Sequence, residues 1–275
     1  MTLFSKLAQS SGLNRFPILK HYVKGAFYRC QDPFNRGVPL HLGGKDIRVP
    51  SRFARPPWQN YEPPATRRVA NWLSSRPDAA VIDVGCSIAL YSLLTVALAR
   101  RGDAWAIDSD LVSLQSSRWL CRFAGPDRLH VIRGYAGNAP TVQLSAAAAA
   151  AATAAEIASQ NPSPEPSLAR YICLDTQSEN KIPVHRLDTL FADADPHRPW
   201  LLKIDVEGAE LLVLQGAEGL AERLRPQLLI SVHPPALRSL GLTPNDIRNW
   251  LVARRYHIEI DVESHEEHWW CTTAE

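Results

Sequence analysis

The chain has 275 residues, 45% of them hydrophobic and 21% charged, with a formal net charge of +2. That is the composition of a globular domain, not of a collagenous or disordered chain. No run approaches the ~20 consecutive apolar residues of a transmembrane helix. Residues 1–20 are broken by Lys6, Asn14, Arg15 and Pro17, so no signal-peptide core is expected. The five cysteines Cys30, Cys86, Cys121, Cys173 and Cys271 form no C-x-x-C pair. This argues against a disulfide scaffold or zinc ribbon and for a reducing, cytoplasmic setting.

In chain order, residues 1–60 form a basic lobe. Residues 1–76 carry 13 Lys/Arg against 3 Asp/Glu, and residues 77–275 carry 17 against 25. The positive charges are scattered, which reads as a solvated surface; the functional alternative is attraction for an acidic acceptor or an anionic surface. Pro17, Pro33, Pro39, Pro50, Pro56 and Pro57 limit this lobe to short helices and extended pieces. A larger domain is expected over 61–275.

Thr66 to Ser74 reads as a helix with Val69, Ala70, Trp72 and Leu73 on its apolar side. Strands and helices then alternate: a buried strand at Ala79 to Val84, a helix from Ile88 to Arg100, a strand at Ala104 to Ile107, a helix from Leu111 to Phe123, and a strand at Leu129 to Ile132. This order predicts a parallel sheet with right-handed crossovers. Residues 138–180 interrupt it with an alanine run, Ala146 to Ala155, followed by Pro162, Pro164 and Pro166. Such residues bring no catalytic groups, so the segment reads as a surface insertion. The alternation resumes with a strand at Pro199 to Val206, helices at Ala209 to Leu214 and Glu218 to Leu224, and a strand at Leu228 to Val232. Thr243 caps a helix that runs to Arg254, with Pro244 in its first turn. An antiparallel pair, His257 to Val262 and His268 to Cys271, closes the chain.

Three local signals carry chemistry. The first is Val81-Ile82-Asp83-Val84-Gly85-Cys86-Ser87-Ile88-Ala89, a strand that turns through small residues into a helix. Small residues allow positive φ and close approach of backbone to a ligand. The second is Asp108, 23 residues after Gly85 at a strand end. In nucleoside-binding α/β folds an acid at about this separation accepts ribose hydroxyls. The third is Lys203-Ile204-Asp205-Val206-Glu207-Gly208-Ala209-Glu210. Helix-dipole stabilisation accounts for Glu207 and Glu210 but not for Lys203 or Asp205 in an apolar strand. Without a G-x-G-x-x-G turn, a nicotinamide oxidoreductase is disfavoured. His265-Glu266-Glu267-His268 is not in metalloprotease order and reads as a polar turn entering a strand.

These three signals, with Tyr61-Glu62-Pro63, Arg186-Leu187-Asp188-Thr189-Leu190, Leu214-Gln215-Gly216-Ala217 and Val232-His233-Pro234, resemble the FkbM-type S-adenosylmethionine-dependent methyltransferases. The resemblance runs from about Tyr61 to the C-terminus, excluding the alanine-rich segment. It implies an α/β, Rossmann-like class I methyltransferase fold: a mostly parallel seven-stranded sheet with helices on both faces and the last strand antiparallel. It implies S-adenosyl-L-methionine as cofactor, bound by Glu62, Asp83, Gly85, Ser87, Ala89, Asp108, Ser109, Tyr135, Ala136 and Asp205. The reaction it implies is O-methylation of a sugar, glycolipid or polyketide-type small molecule, with no nucleic-acid partner. Where the family turn reads G-A-N-I-G, this chain has Gly85-Cys86-Ser87-Ile88-Ala89, and Asp108-Ser109 stands where Glu-Pro is common.

The acceptor hydroxyl needs alignment and proton removal. Asp205 and His233, at the ends of two neighbouring strands, are the candidate bases. Asp205 and Glu207 as ligands of a divalent metal give too few donors for a complete shell, so no metal is expected. The competing reading from another class is a degenerate methyltransferase fold acting as a binding scaffold.

Overall fold

The computed structural model describes residues 32–34, 36–51, 61–110, 127–138, 182–262 and 266–273, with the single positions 23, 26, 27, 30, 58, 113 and 117. The alanine-rich segment and most of the helix expected over Leu111 to Phe123 lie outside these residues.

The chain enters through a hairpin, β1 (Val38–Leu42) and β2 (Lys45–Val49), antiparallel with Leu42 opposite Lys45. Gly43 and Gly44 form its two-residue turn with φ of 60° and 75°, the mirror-image turn whose twist suits a hairpin. Alternate residues Leu40, Leu42, Ile47 and Val49 are buried in the same core as Val69, Ala70 and Leu73 of α1 (Pro63–Ser74). A Cβ on Gly43 would meet the carbonyl oxygen of Thr66 at 2.5 Å, so the hairpin turn rests directly on that helix.

The main sheet uses β3 (Ala80–Val84), β4 (Asp103–Asp108), β5 (Leu129–Arg133), β8 (Trp200–Ile204), β9 (Gln227–Val232), β10 (Tyr256–Val262) and β11 (Glu267–Thr273). Their spatial order is β10-β11-β9-β8-β3-β4-β5. The inner pairs are parallel, and β11 is antiparallel to both β9 and β10. Seven strands with an antiparallel last strand is the sheet that the resemblance implies. Between β5 and β8 a small parallel pair, β6 (Tyr135–Ala136) and β7 (Val184–His185), sets Tyr135 opposite Val184. This pair brings the two described segments that flank residues 139–181 side by side.

Two apolar layers cover the sheet. α1 and α2 (Leu90–Leu98) pack with the hairpin on one face, against Val81, Leu201 and Leu229. On the other face α3 (Leu187–Leu190), α4 (Glu210–Gln215), α5 (Glu218–Leu224), α6 (Pro234–Ser239) and α7 (Pro244–Ala253) cover Ile82, Leu202, Ile230 and Trp269. The period-2 alternation of strands buried on both faces produces this division. α7 opens with the expected cap: Asp246 accepts hydrogen bonds from the Thr243 amide and hydroxyl at 2.8 and 2.7 Å. α6 starts directly after His233, its N-cap. Pro234 and Pro235 occupy its first two positions, where a missing N–H leaves no helical bond unmade.

Candidate active site

An open cleft lies at the carboxyl ends of β3, β4 and β8, where ligands bind in open α/β sheets. Its walls include Gly85, Ser87, Asp108, Ser109, Tyr135, Ala136, Asp205 and Glu207, and its volume with the open mouth is about 760 Å³. A narrower recess continues inward past Asp83, Gly85, Tyr61, Tyr91, Lys203 and Asp205.

The β3–α2 turn is shaped by its backbone. Gly85, Ser87 and Ala89 all have positive φ, 72°, 48° and 58°. A Cβ at Gly85 would lie 1.7 Å from the carbonyl oxygen of Asp205, so only glycine fits between the two strand ends. Asp108 locks the turn from β4: its Oδ2 accepts the Ser87 amide at 2.8 Å and its Oδ1 accepts the Asp110 amide at 2.9 Å. A carboxylate offers about four lone-pair sites, so Asp108 retains capacity for a ligand in the cleft. Burial raises its pKa above the ordinary value, against the pull of these amide bonds.

Behind the turn, a row of polar side chains crosses four adjacent strands on the α2 face. Asp83 and Lys203 are register partners, as are Ser231 and His268. Asp83 is almost fully buried, and its Oδ2 accepts both the amide and the hydroxyl of Ser92, at 3.1 and 2.7 Å. Burial pushes its pKa up to about 6 although the Ser92 bonds and Lys203 oppose this. Lys203 is 1% exposed and donates to Asp205 Oδ2 at 3.0 Å and to Ser231 Oγ at 2.8 Å. Burial alone would lower its pKa, but Asp205 and Glu62 outweigh that and raise it. Glu62, the N-cap of α1, sits buried with φ of 40° and accepts the Tyr91 hydroxyl at 2.5 Å. Burial and Glu62 push the Tyr61 and Tyr91 hydroxyls well above the ordinary phenol range.

His233, at the end of β9, is enclosed by carboxylates. Its Nδ1 is 2.8 Å from Glu210 Oε1, and its Nε2 is 3.1 Å from Glu266 Oε2 and 3.6 Å from Asp205 Oδ1. Burial disfavours the charged ring, but the hydrogen bonds to Glu210 and Glu266 and the charge of Asp205 overcome it. The pKa rises to about 10, so the ring is an imidazolium at neutral pH. Glu266 moves the other way: burial pushes it up, but His233 and His268 hold it down at about 2.

The structure thus brings Gly85, Ser87, Asp108, Ser109, Tyr135, Ala136 and Asp205 to one cleft, and Asp83 and Glu62 to the polar layer beneath it. Ala89 is fully buried at the start of α2. His233 faces Asp205 on the side of β9 and β11. Sequence reasoning passed over Glu266 and His268 as a polar turn and Glu210 as a dipole acid, yet all three are buried around His233 or Ser231. The available signal was their spacing: Glu266 and His268 are two apart at a strand and share a face.

The profile of the Methyltransferase FkbM domain matches residues 112–258, more than half of the chain. The chain belongs to the FkbM methyltransferase family. Membership agrees with the strand order, and the fold is the class I methyltransferase fold. Among solved structures, methyltransferase FkbM from Methylobacillus flagellatus is 20% identical, with a TM-score of 0.47 over 71% of this chain. The match spans 44% of that protein, less than half its length. A precorrin-6y C5,15-methyltransferase from Geobacter metallireducens is 12% identical over 76% of this chain and 87% of its own, with a TM-score of 0.42. M. capricolum TrmK, solved with S-adenosyl-homocysteine, is 10% identical over 74% of this chain and 65% of its own, with a TM-score of 0.36. No curated protein of known function matches. Among the described residues no helix is long and apolar enough to cross a membrane.

Proposed function

We propose that this family member is an S-adenosylmethionine-dependent O-methyltransferase acting on a hydroxyl of a sugar, glycolipid or polyketide-type small molecule. The observation that carries the reading is the position of Asp205. Its backbone closes the glycine turn at Gly85, and its carboxylate stands between the cleft and the His233 cluster. One residue thereby borders both a nucleoside-sized cleft and a set of groups able to handle a proton.

The cleft residues fit the cofactor. Asp108 has lone pairs left for ribose hydroxyls, Ser109, Tyr135 and Ala136 supply the neighbouring walls, and the strained 85–89 turn brings backbone close to the space. Asp83 acts from behind, holding Ser92 and so the start of α2 under that turn. When bound, S-adenosylmethionine supplies a methyl group already activated on a sulfonium. The chain's task is then to align an acceptor oxygen and take its proton, and positioning alone is worth ~7–11 kcal/mol of barrier.

Asp205 is the proton acceptor in this reading. Lys203 holds its Oδ2, which fixes the carboxylate. His233 is protonated at neutral pH and has no lone pair to give, so it positions Asp205 and neutralises charge. The thiols Cys86 and Cys271, buried and unbridged, suit a reducing cytoplasm.

Asp205→Asn tests the assignment. Turnover should fall by ~10²–10⁴, while binding of S-adenosylhomocysteine by calorimetry stays within a few-fold. Full turnover in Asp205→Asn with none in His233→Ala would reverse the two roles. Failure of the wild-type chain to bind S-adenosylhomocysteine would favour a scaffold function.

A further inference from the structure

We infer that Asp205, His233 and Glu266 form a binding site for one divalent first-row transition ion, of the Mn²⁺ or Zn²⁺ type, at the inner wall of the cleft. Asp205, His233 and Glu266 each offer one ligand atom within 4.8 Å of those of the other two. Asp205 Oδ1 and Glu266 Oε2 stand 3.6 and 3.1 Å from His233 Nε2. Ligands ~2.1 Å from a metal stand about 3 Å apart at a right angle and about 3.4 Å apart in a tetrahedron. The two separations to His233 Nε2 are therefore close to those of neighbouring donors on one coordination sphere. Their chemistry is a mixed imidazole–carboxylate set, which suits first-row divalent ions better than Ca²⁺ or Mg²⁺.

Two further observations separate this group from an ordinary acidic cluster. The first is the orientation of the ring. Glu210 Oε1 sits 2.8 Å from His233 Nδ1, which turns Nε2 toward Asp205 and Glu266, and an ion bound there displaces the Nε2 proton that the ring carries in the metal-free chain. A carboxylate on the far nitrogen is the usual outer partner of a metal-bound histidine and fixes its tautomer. The second is an unsatisfied charge. Glu210 is fully buried, and its Oε2 accepts no hydrogen bond among the described residues. A buried carboxylate oxygen left without a hydrogen bond is expensive unless a cation offsets it. Lys203 occupies Asp205 Oδ2, so the oxygen turned toward His233 is the one available to an ion.

Asp205 is the most exposed of the three ligands, with a side-chain exposure of 21% against 11% for His233 and 9% for Glu266. It also lines the cleft, so a bound ion would be reached from the cleft side. Under the methyltransferase reading above, on which this role rests, the acceptor is a vicinal diol or hydroxy-carbonyl that chelates the ion. Coordination lowers the hydroxyl pKa, so that Asp205 can take the proton from within the coordination sphere.

The test is titration of Mn²⁺ into the chelator-stripped full chain, followed by electron paramagnetic resonance. One ion per chain is expected, with spin-echo modulation from a directly bound imidazole nitrogen. Glu266→Gln and His233→Gln should weaken binding by at least tenfold and His233→Gln should abolish the nitrogen signal. Glu210→Gln should weaken binding by about tenfold through the histidine. Glu259→Gln, on the exposed sheet edge, should change nothing. Absence of binding by both Mn²⁺ and Zn²⁺ overturns the site, as does a wild-type spectrum without imidazole coupling. The nitrogen signal needs no variant, so misfolding of a mutant cannot rescue the claim. A chain that binds Mn²⁺ but not S-adenosylhomocysteine would keep the site and sink the methyltransferase reading; the reverse result would do the opposite.

Discussion

The two sides of the cleft are built by different means. On the side of β3 and β4 the site is mainly backbone: three positive-φ residues in five positions, fixed by one carboxylate on two amides. On the side of β8, β9 and β11 it is mainly side chain: Lys203, Asp205, Glu210, His233 and Glu266, all charged and mostly buried. The first side has no room for a Cβ at Gly85, and the second is held by paired charges. Asp205 belongs to both, through its carbonyl and its carboxylate.

The largest expected effect follows from the backbone side. Gly85→Ala places a Cβ where the Asp205 carbonyl oxygen already is, at positive φ. Left-handed strain of ~1–2 kcal/mol adds to overpacking of ~1–3 kcal/mol. Urea denaturation should show a loss of several kcal/mol or no cooperative transition. A loss below ~1 kcal/mol would mean that the strand ends separate easily and that the turn is not shaped by this contact.

The charged side is broken by pH. The folded pKa of His233, about 10, lies above its ordinary 6.5, so its stabilising contribution is complete below 6.5 and disappears as pH rises toward 10. Glu266, at about 2 against 4.5, contributes fully above 4.5 and loses that contribution as pH falls toward 2. The pair should therefore be strongest between roughly pH 4.5 and 6.5. His233→Gln should flatten the alkaline decline in the thermal midpoint. An unchanged slope between pH 7 and 10 would show that the imidazolium is not held by these acids.

This contrast also governs what the sequence makes legible. The strand–turn–helix at Gly85, Asp108 and the K-I-D-V-E-G run are contiguous or evenly spaced, so local rules find them. The seven-stranded order follows from the alternation and the family resemblance. The His233 cluster does not announce itself, because Glu210, His233 and Glu266 meet only after β9 and β11 pair antiparallel. The hairpin at 38–49 had a usable signal, Gly43-Gly44 between alternating apolar residues, masked by the surrounding prolines. The boundary drawn at residue 60 divides the chain in sequence, yet the hairpin shares its core with α1.

A smaller effect is expected at Asp108, where the two sides differ in kind. Asp108→Ala removes the acceptor for Ser87 and Asp110 and, in the proposed function, for the ribose. Hydrogen bonds to a charged acceptor are worth ~1.5–3 kcal/mol, which is about ten- to 150-fold in affinity for S-adenosylhomocysteine. Calorimetry showing unchanged affinity would remove Asp108 from the cofactor site. By contrast, Asp83→Asn acts only through Ser92, and its effect should fall on stability more than on affinity.

The smallest effects separate strain from burial within the turn itself. Ser87 and Ala89 both adopt left-handed backbone, at φ 48° and 58°. Glycine at either site relieves ~1–2 kcal/mol of strain and gives back ~0.4–1 kcal/mol through a freer unfolded chain. Ala89 is fully buried, so its methyl also contributes ~0.8 kcal/mol that glycine would lose. Ser87 is exposed, and the Ser117 hydroxyl binds its backbone carbonyl, which glycine keeps. Ser87→Gly should therefore stabilise the chain by about 0.8 kcal/mol, and Ala89→Gly should be close to neutral. The balance at Ala89 accounts for how alanine persists where the family turn carries glycine. Denaturant midpoints for the two variants measure the difference directly. A larger gain from Ala89→Gly than from Ser87→Gly would show that the buried methyl is itself crowded, and that the turn is compressed toward the cleft.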